Sequence, residues 1–284
     1  MITFTRVDHI SMASADWRPQ AERLQRLLGF KYLSNWEGND HQDFSGSLSQ
    51  VPGTGIEFEI IAPYGSPSFV QKFLDQGGPG LHHITIEVPD IQRCAEEIKA
   101  LGLTPFGGIQ DDGAWYVTYV HPKESGGILW QLFESHREAR EVDRSTADGG
   151  AVGLKRVDHV SLAVPDRDAQ VEWQKRVFGF EEISRWTNEA EGYDGCVMRI
   201  PGSQLQFEII APNRPNSFVR TFLDKRRAGM HHICCEVESV EGAIEGLKRE
   251  GIEAFGGIVE SDWHRHTFLH PRDSGGVLFQ LFEE

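Results

Sequence analysis

The sequence predicts an α+β protein made of two tandem copies of one domain, each copy built from two βαβββ modules that form an open, cup-like mixed sheet. Three observations predict it. The chain repeats itself at an offset of 150 residues, its length of 284 residues is about twice that of an ordinary domain, and each half carries a second, fainter repeat of strand followed by amphipathic helix.

The long repeat is read directly from matched segments. RVDHISMA at 6–13 returns as RVDHVSLA at 156–163, RLLGF at 26–30 as RVFGF at 176–180, and FEIIAP at 58–63 as the same six residues at 207–212. SFVQKFLD at 68–75 returns as SFVRTFLD at 217–224, GLHHITIEV at 80–88 as GMHHICCEV at 229–237, and HPKESGGILWQLFE at 121–134 as HPRDSGGVLFQLFE at 270–283. The offset falls to 149 after a one-residue gap between Trp36 and Pro52. Two domains are expected over 1–136 and 153–284. The intervening segment 137–152 lies outside the repeat, is charged and ends in Asp-Gly-Gly, which suits an exposed linker.

Within the first half the elements follow in order. DHISMA reads as a strand and PQAERLQRLLGF as an amphipathic helix that stops at Gly29. IEFEIIAP is the strand run that closes the first module. HHITIE opens the second module as a strand, and IQRCAEEIKALGL follows as a helix that stops at Gly102. Glycine belongs at such C-caps because it accepts the left-handed conformation without penalty. YVTYVHP and GILWQLFE then close the module as strands, and the second half repeats the whole order, giving four modules in the chain.

Composition narrows the function classes. A net charge of −15 argues against nucleic acid, since a phosphate backbone needs a cationic footprint, and equally against an anionic membrane surface. The first residues, MITFTRVDHI, lack the basic and apolar regions of a signal peptide, and no apolar run reaches the roughly 20 residues that span a bilayer. Cys94, Cys196, Cys234 and Cys235 have no CxxC spacing and no matched recurrence. They read as reduced, buried thiols of a cytoplasmic protein.

Four residue types with chemistry recur at nearly fixed separations. His9, Glu59, His83 and Gln131 are spaced by 50, 24 and 48 residues; His159, Glu208, His232 and Gln280 by 49, 24 and 48. Each falls in a strand that is first or last in its module, so modules packed about a pseudo-twofold axis bring the four side chains into one concavity. Two imidazoles, one carboxylate and one amide oxygen form a donor set for a divalent ion such as Fe, Zn, Mn, Co or Ni. On an octahedral ion they leave two adjacent positions for water or a bidentate, oxygen-rich small molecule. One carboxylate leaves the centre about one positive charge, which strengthens the ion as a Lewis acid. A lone strand histidine is more often a hydrogen-bonded structural residue than a ligand. The set is favoured because all four match in identity while neighbours diverge: Ile86 stands against Cys235, and Gly113-Ala114-Trp115 against Asp262-Trp263-His264.

Nearby residues read mostly as structural. His82 and His231 point to the opposite face of the strand, since side chains alternate. Glu87 and Glu236 share the face of His83 and His232 and are expected to bond a neighbouring strand or to support the centre from behind. Ser11 and Ser161 share the face of His9 and His159 and are candidates to touch substrate. His121 and His270 precede prolines and shape a turn, while Trp36 and Trp186 read as core. The Ser-Gly-Gly turns at 125–127 and 274–276 read as hairpin turns, with an anion-binding backbone as the alternative.

At these residues the chain resembles the vicinal oxygen chelate superfamily, home of glyoxalase I, methylmalonyl-CoA epimerase, extradiol dioxygenases and fosfomycin-resistance proteins. VDHISMA, SFVQKFLDQGGPGLHHITIEV and HPKESGGILWQLFE are most similar to the epimerase branch. The resemblance implies metal binding by His9, Glu59, His83 and Gln131 and by His159, Glu208, His232 and Gln280. It also implies chelation of neighbouring substrate oxygens or of an enolate, and it allows a homodimer. Epimerase-like members typically carry Gln at the position of Glu59 and Glu at that of Gln131, and here the two are exchanged. An amide does not ionise, so Glu59 and Glu208 are the catalytic bases to expect. The epimerase's further acid also lacks a matched pair, because QDFSGS aligns with EGYDGC and Asp43 falls opposite Gly192. Three functions are therefore expected in order: an isomerase, epimerase or lyase acting through an enolate; a non-haem Fe(II) ring-cleaving dioxygenase; and a metal-free binding protein.

Overall fold

The computed structural model describes residues 1–39, 42–136, 148–260 and 264–284. The first half runs β1 (Arg6–Ala13), α1 (Trp17–Leu28), β2 (Lys31–Trp36), β3 (Phe44–Gln50), β4 (Glu57–Pro63), α2 (Phe69–Gly77), β5 (Gly80–Glu87), α3 (Ile91–Ala100), β6 (Pro105–Asp111), β7 (Trp115–Val120) and β8 (Leu129–Ser135). The second runs β9 (Leu154–Ala163), α4 (Arg167–Phe178), β10 (Glu181–Asn188), β11 (Tyr193–Arg199), β12 (Gln206–Pro212), α5 (Phe218–Arg226), β13 (Gly229–Val237), α6 (Val240–Arg249), β14 (Phe255–Glu260), β15 (Arg265–Leu269), α7 (Pro271–Ser274) and β16 (Leu278–Glu283).

Each half forms one eight-stranded mixed sheet. The orders are β2-β3-β4-β1-β5-β8-β7-β6 and β10-β11-β12-β9-β13-β16-β15-β14, open at both edges. The hairpins pair antiparallel, while β5 runs parallel to β8 and β13 to β16. The α+β class, the two βαβββ modules per half and the open sheet expected from the sequence are all present.

The helices form where caps and apolar spacing agree. Asp16 accepts from the Arg18 N–H at 3.0 Å to start α1, and Gly29 at φ 68° ends it. Between them Trp17, Ala21, Leu24, Leu27 and Leu28 make one buried face. Asp90, Asp166 and Ser239 cap α3, α4 and α6 in the same way. Helix α2 was not among the expected elements. Its segment is short, and of its residues only Val70 is buried.

Compact packing divides the chain into two units that mix the halves. One comprises Met1–His9, His83–Val142 and Val160–His231. Its core holds Trp130, which is fully buried, with ring centroids 4.6 Å from Phe178 and 5.9 Å from Phe207. The other comprises Ile10–His82, Asp143–His159 and His232–Glu284, with Phe30 and Phe58 packed at 5.1 Å. Replacing Trp130 by Ala is expected to lower the unfolding free energy by about 3–5 kcal/mol, measured by denaturant titration.

The Ser-Gly-Gly turns carry much of this mixed packing. In the first unit the Ser125 carbonyl accepts from Gln170 Nε2 at 3.2 Å; in the second the Ser274 carbonyl accepts from Gln20 Nε2 at 2.7 Å. Gly127 has φ 106°, and a Cβ there would lie 2.2 Å from the Ala228 carbonyl oxygen, so only glycine fits. The N–H groups of Gly127 and Gly276 bond to Pro122 and Pro271, which commits them to the turn rather than to an anion.

The expectation of an exposed linker needs correction over its last residues. Gly149 and Val152 are buried, and the Ala151 and Val152 N–H groups bond to the Arg26 and Leu27 carbonyls at the end of α1. Those carbonyls are left over by the helix end and need partners, which is why the chain docks there. Residues 137–147 of that segment lie outside the described residues. Among the described residues no helix is long and apolar enough to cross a membrane.

Candidate metal centres

The four recurring residues stand on the four central strands of each sheet. His9 is on β1, Glu59 on β4, His83 on β5 and Gln131 on β8, and β4-β1-β5-β8 are consecutive neighbours. His159, Glu208, His232 and Gln280 repeat the arrangement on β9, β12, β13 and β16. The adjacency of β1 and β5, the opening strands of the two modules, brings residues 74 positions apart in sequence side by side.

In each half the donor atoms of the two histidines and the glutamate lie within 4.8 Å of one another. An ion with bonds of about 2.0–2.2 Å to nitrogen and oxygen spans such a set, since opposite ligands then stand roughly 4–4.4 Å apart. His9 and His83 pack edge to face at 5.6 Å between ring centroids, and His159 and His232 at 5.7 Å. Glu59 and Glu208 are 9% and 8% exposed, so each carboxylate sits among imidazoles out of bulk water. Both clusters form within one half of the chain.

The glutamines flank the clusters. Gln131 is in register with Thr85 across the parallel β5–β8 pair, and its Oε1 lies 3.5 Å from Thr85 Oγ1. The same hydroxyl lies 2.8 Å from His9 Nε2. Gln280 is in register with Cys234, and its Nε2 lies 3.5 Å from His264 Nε2. The cross-strand neighbours are Leu48 for Glu59 and Tyr119 for Gln131, against Val197 for Glu208 and Phe268 for Gln280.

Behind the histidines runs a chain of charges that sequence reasoning met only in part. Asp8 Oδ2 lies 2.7 Å from His9 Nδ1, Arg6 bridges Asp8 and Glu87, and the Arg6 Nε–Glu87 distance is 2.6 Å. In the second half Asp158 Oδ2 lies 2.8 Å from His159 Nδ1, and Arg156 bridges Asp158 and Glu236, again at 2.6 Å to the glutamate. Glu87 and Glu236 thus join neighbouring strands, as one of the two expectations had it. Burial pushes the Asp8 and Asp158 carboxyls up, but the histidine hydrogen bond and the arginine outweigh it and leave both below the usual carboxylate range. An aspartate on Nδ1 fixes the tautomer that presents Nε2 to the cluster, and makes that nitrogen more basic. Asp8 and Asp158 were missed, though the Val-Asp-His triplet in both halves carries the signal.

The remaining residues sort clearly. His82 lies between the rings of Phe69 and Phe73, and His231 between Phe218 and Phe222. Burial lowers both imidazoles to about 4, so they are neutral near pH 7. Ser11 and Ser161 are 0% exposed, which leaves no surface for substrate contact. His121 and His270 cap turns by accepting from the Lys123 and Arg272 N–H groups at 3.1 and 3.0 Å. Trp36 packs on the cluster of Ala13, Ile61 and Val70. All four cysteines are free and buried. His264 and His266 stand in the second half where the first half has Trp115 and Val117; burial lowers both, His266 to about 4.

The family model described as the glyoxalase/bleomycin resistance protein/dioxygenase superfamily matches residues 8–119 and again 158–268. The chain belongs to this superfamily. Among curated proteins, this superfamily chain is 32% identical over 136 residues to the mitochondrial methylmalonyl-CoA epimerase of Homo sapiens, covering 47% of the chain and 76% of that protein. It is 26% identical over 244 residues to 3-dehydroshikimate dehydratase of Pseudomonas aeruginosa, covering 76% of the chain but only 38% of that protein. A triple mutant of 4-hydroxymandelate synthase from Streptomyces coelicolor superposes with a TM-score of 0.74 over 100% of this chain and 93% of its own, at 16% identity. That last likeness shows the fold. The duplicated superfamily domain and the likeness to epimerases read from the sequence are borne out.

Proposed function

We propose that the chain is a divalent-metal-dependent enzyme, an isomerase, epimerase or lyase that acts through an enolate on a small carbonyl or carboxylate substrate. The observation that carries this reading is the pair of His-His-Glu clusters, complete in both halves, with donor atoms inside 4.8 Å. Curated relatives that are epimerases, matched over most of their own length, support proton removal beside a carbonyl as the chemistry. A bound divalent ion supplies Lewis acidity at the substrate oxygen as negative charge develops there. His9, Glu59, His83 and Gln131, with His159, Glu208, His232 and Gln280, would hold that ion and fix its position. Glu59 and Glu208 take the proton from the substrate carbon at one carboxylate oxygen and return it, because they are the ionisable oxygens of the set. The apolar neighbours Leu48 and Val197 exclude water from the carboxylate during that exchange.

The test is solvent deuterium exchange under argon, followed by proton NMR, with Co(II)- or Mn(II)-loaded protein and 2-substituted malonyl thioesters and 2-oxo acids as probes. Exchange at the carbon beside the carbonyl is expected in at least one class. A second reading, an Fe(II) ring-cleaving dioxygenase, is favoured by the two-histidine, one-carboxylate inventory. Iron-dependent oxygen uptake with a catechol, and no exchange, would replace the first reading by the second.

A further inference from the structure

The two centres share four residues but not their immediate surroundings, and the differences fall on the atoms that would meet a cation. In the first half the Thr85 hydroxyl stands 2.8 Å from His9 Nε2 and 3.5 Å from Gln131 Oε1. Asp8 holds Nδ1, so Nε2 is the nitrogen left to coordinate. The single proton of that hydroxyl goes to His9 Nε2, the nearer acceptor, and the hydroxyl only stands beside the Gln131 oxygen. Thr85 is 1% exposed, and a hydroxyl displaced there has no bulk water to turn to. Cation binding at the first centre has to break the Thr85 contact to His9 Nε2, leaving the hydroxyl only its 3.5 Å approach to Gln131.

The second centre is built differently at the matching places. Position 234 is cysteine, in the same register with Gln280 as Thr85 is with Gln131. A thiol is a weaker hydrogen-bond partner than a hydroxyl and competes less for an imidazole nitrogen or an amide oxygen. His264 replaces Trp115 and lies 3.5 Å from Gln280 Nε2. An amide nitrogen only donates, so His264 Nε2 accepts, and Gln280 keeps its oxygen for a cation.

Resting on the metal reading above, we infer that the duplicated centres are unequal, the second-half centre being the high-affinity cation site and Thr85/Cys234 with Trp115/His264 being the residues that set the difference. Supporting contacts of this kind shift metal affinity by about 10–100-fold. The duplication thus yields one centre that stays loaded and one that fills only at higher metal concentration.

The experiment is calorimetric titration of the chelator-stripped full chain with Co(II). Two classes of one ion each are expected, separated by about 10–100-fold. The tight class should survive His83→Ala and vanish in His232→Ala. Thr85→Val should tighten the weak class and Cys234→Thr should loosen the tight one, each by about tenfold, with circular dichroism reporting that the variants fold. Two equal classes, or a tight class lost in His83→Ala, would overturn the inference while leaving the metal reading intact. Absence of binding at both centres would overturn the metal reading itself.

Discussion

The double variant E59Q/E208Q is expected to lose solvent deuterium exchange by about 10²–10⁴-fold, with both sheets intact. Each Glu is the one carboxylate of its cluster, placed with two imidazoles inside 4.8 Å and shielded from water. Glutamine keeps the shape and one oxygen donor but takes no proton. The change therefore removes the base while leaving the packing, and the single variants should each retain whatever exchange the other centre performs. The exchange of Glu and Gln between β4 and β8, relative to epimerase-like members, makes this test decisive. If full exchange persists in the double variant, proton transfer belongs to another group, and the role given to Glu59 and Glu208 fails.

D8N and D158N are expected to weaken metal binding at the first and second centres respectively by about 10–100-fold. The carboxylates hold His9 and His159 by Nδ1 at 2.7 and 2.8 Å and are themselves held by Arg6 and Arg156. An amide in their place is neutral and can offer its nitrogen as readily as its oxygen, so the imidazole loses both its fixed tautomer and the charge that makes Nε2 a strong donor. Calorimetric titration with Co(II) reads the effect centre by centre. A fall in melting temperature with unchanged metal affinity would assign these aspartates to the fold alone.

Much of this architecture was legible because duplication prints every signal twice. Asp16 and Gly29 around α1, and Asp166 and Gly179 around α4, mark helix ends by chemistry that acts within a few residues. The ligand set was legible for a related reason, since identical residues at matched spacings survive where Ile86 and Cys235 have parted. What escaped depends on neighbours distant in sequence. The Arg6–Asp8–Glu87 chain exists only because β1 lies beside β5, and spacing along the chain does not encode that. The Ser-Gly-Gly turns read as local hairpins, yet their glycines are required by close approach to Ala228 and Pro79 from elsewhere in the chain. Thr85 looked like an ordinary strand residue until its hydroxyl was seen at His9.

The account rests on two divalent ions per chain, and metal analysis of native protein purified without chelators tests that most directly. The expected stoichiometry is about one as purified, held by the second-half centre and lost in H232A; it approaches two after equilibration with excess metal, where H83A removes the second ion. A value near zero in protein that is folded and has been offered Fe(II), Zn(II), Mn(II), Co(II) and Ni(II) would contradict it.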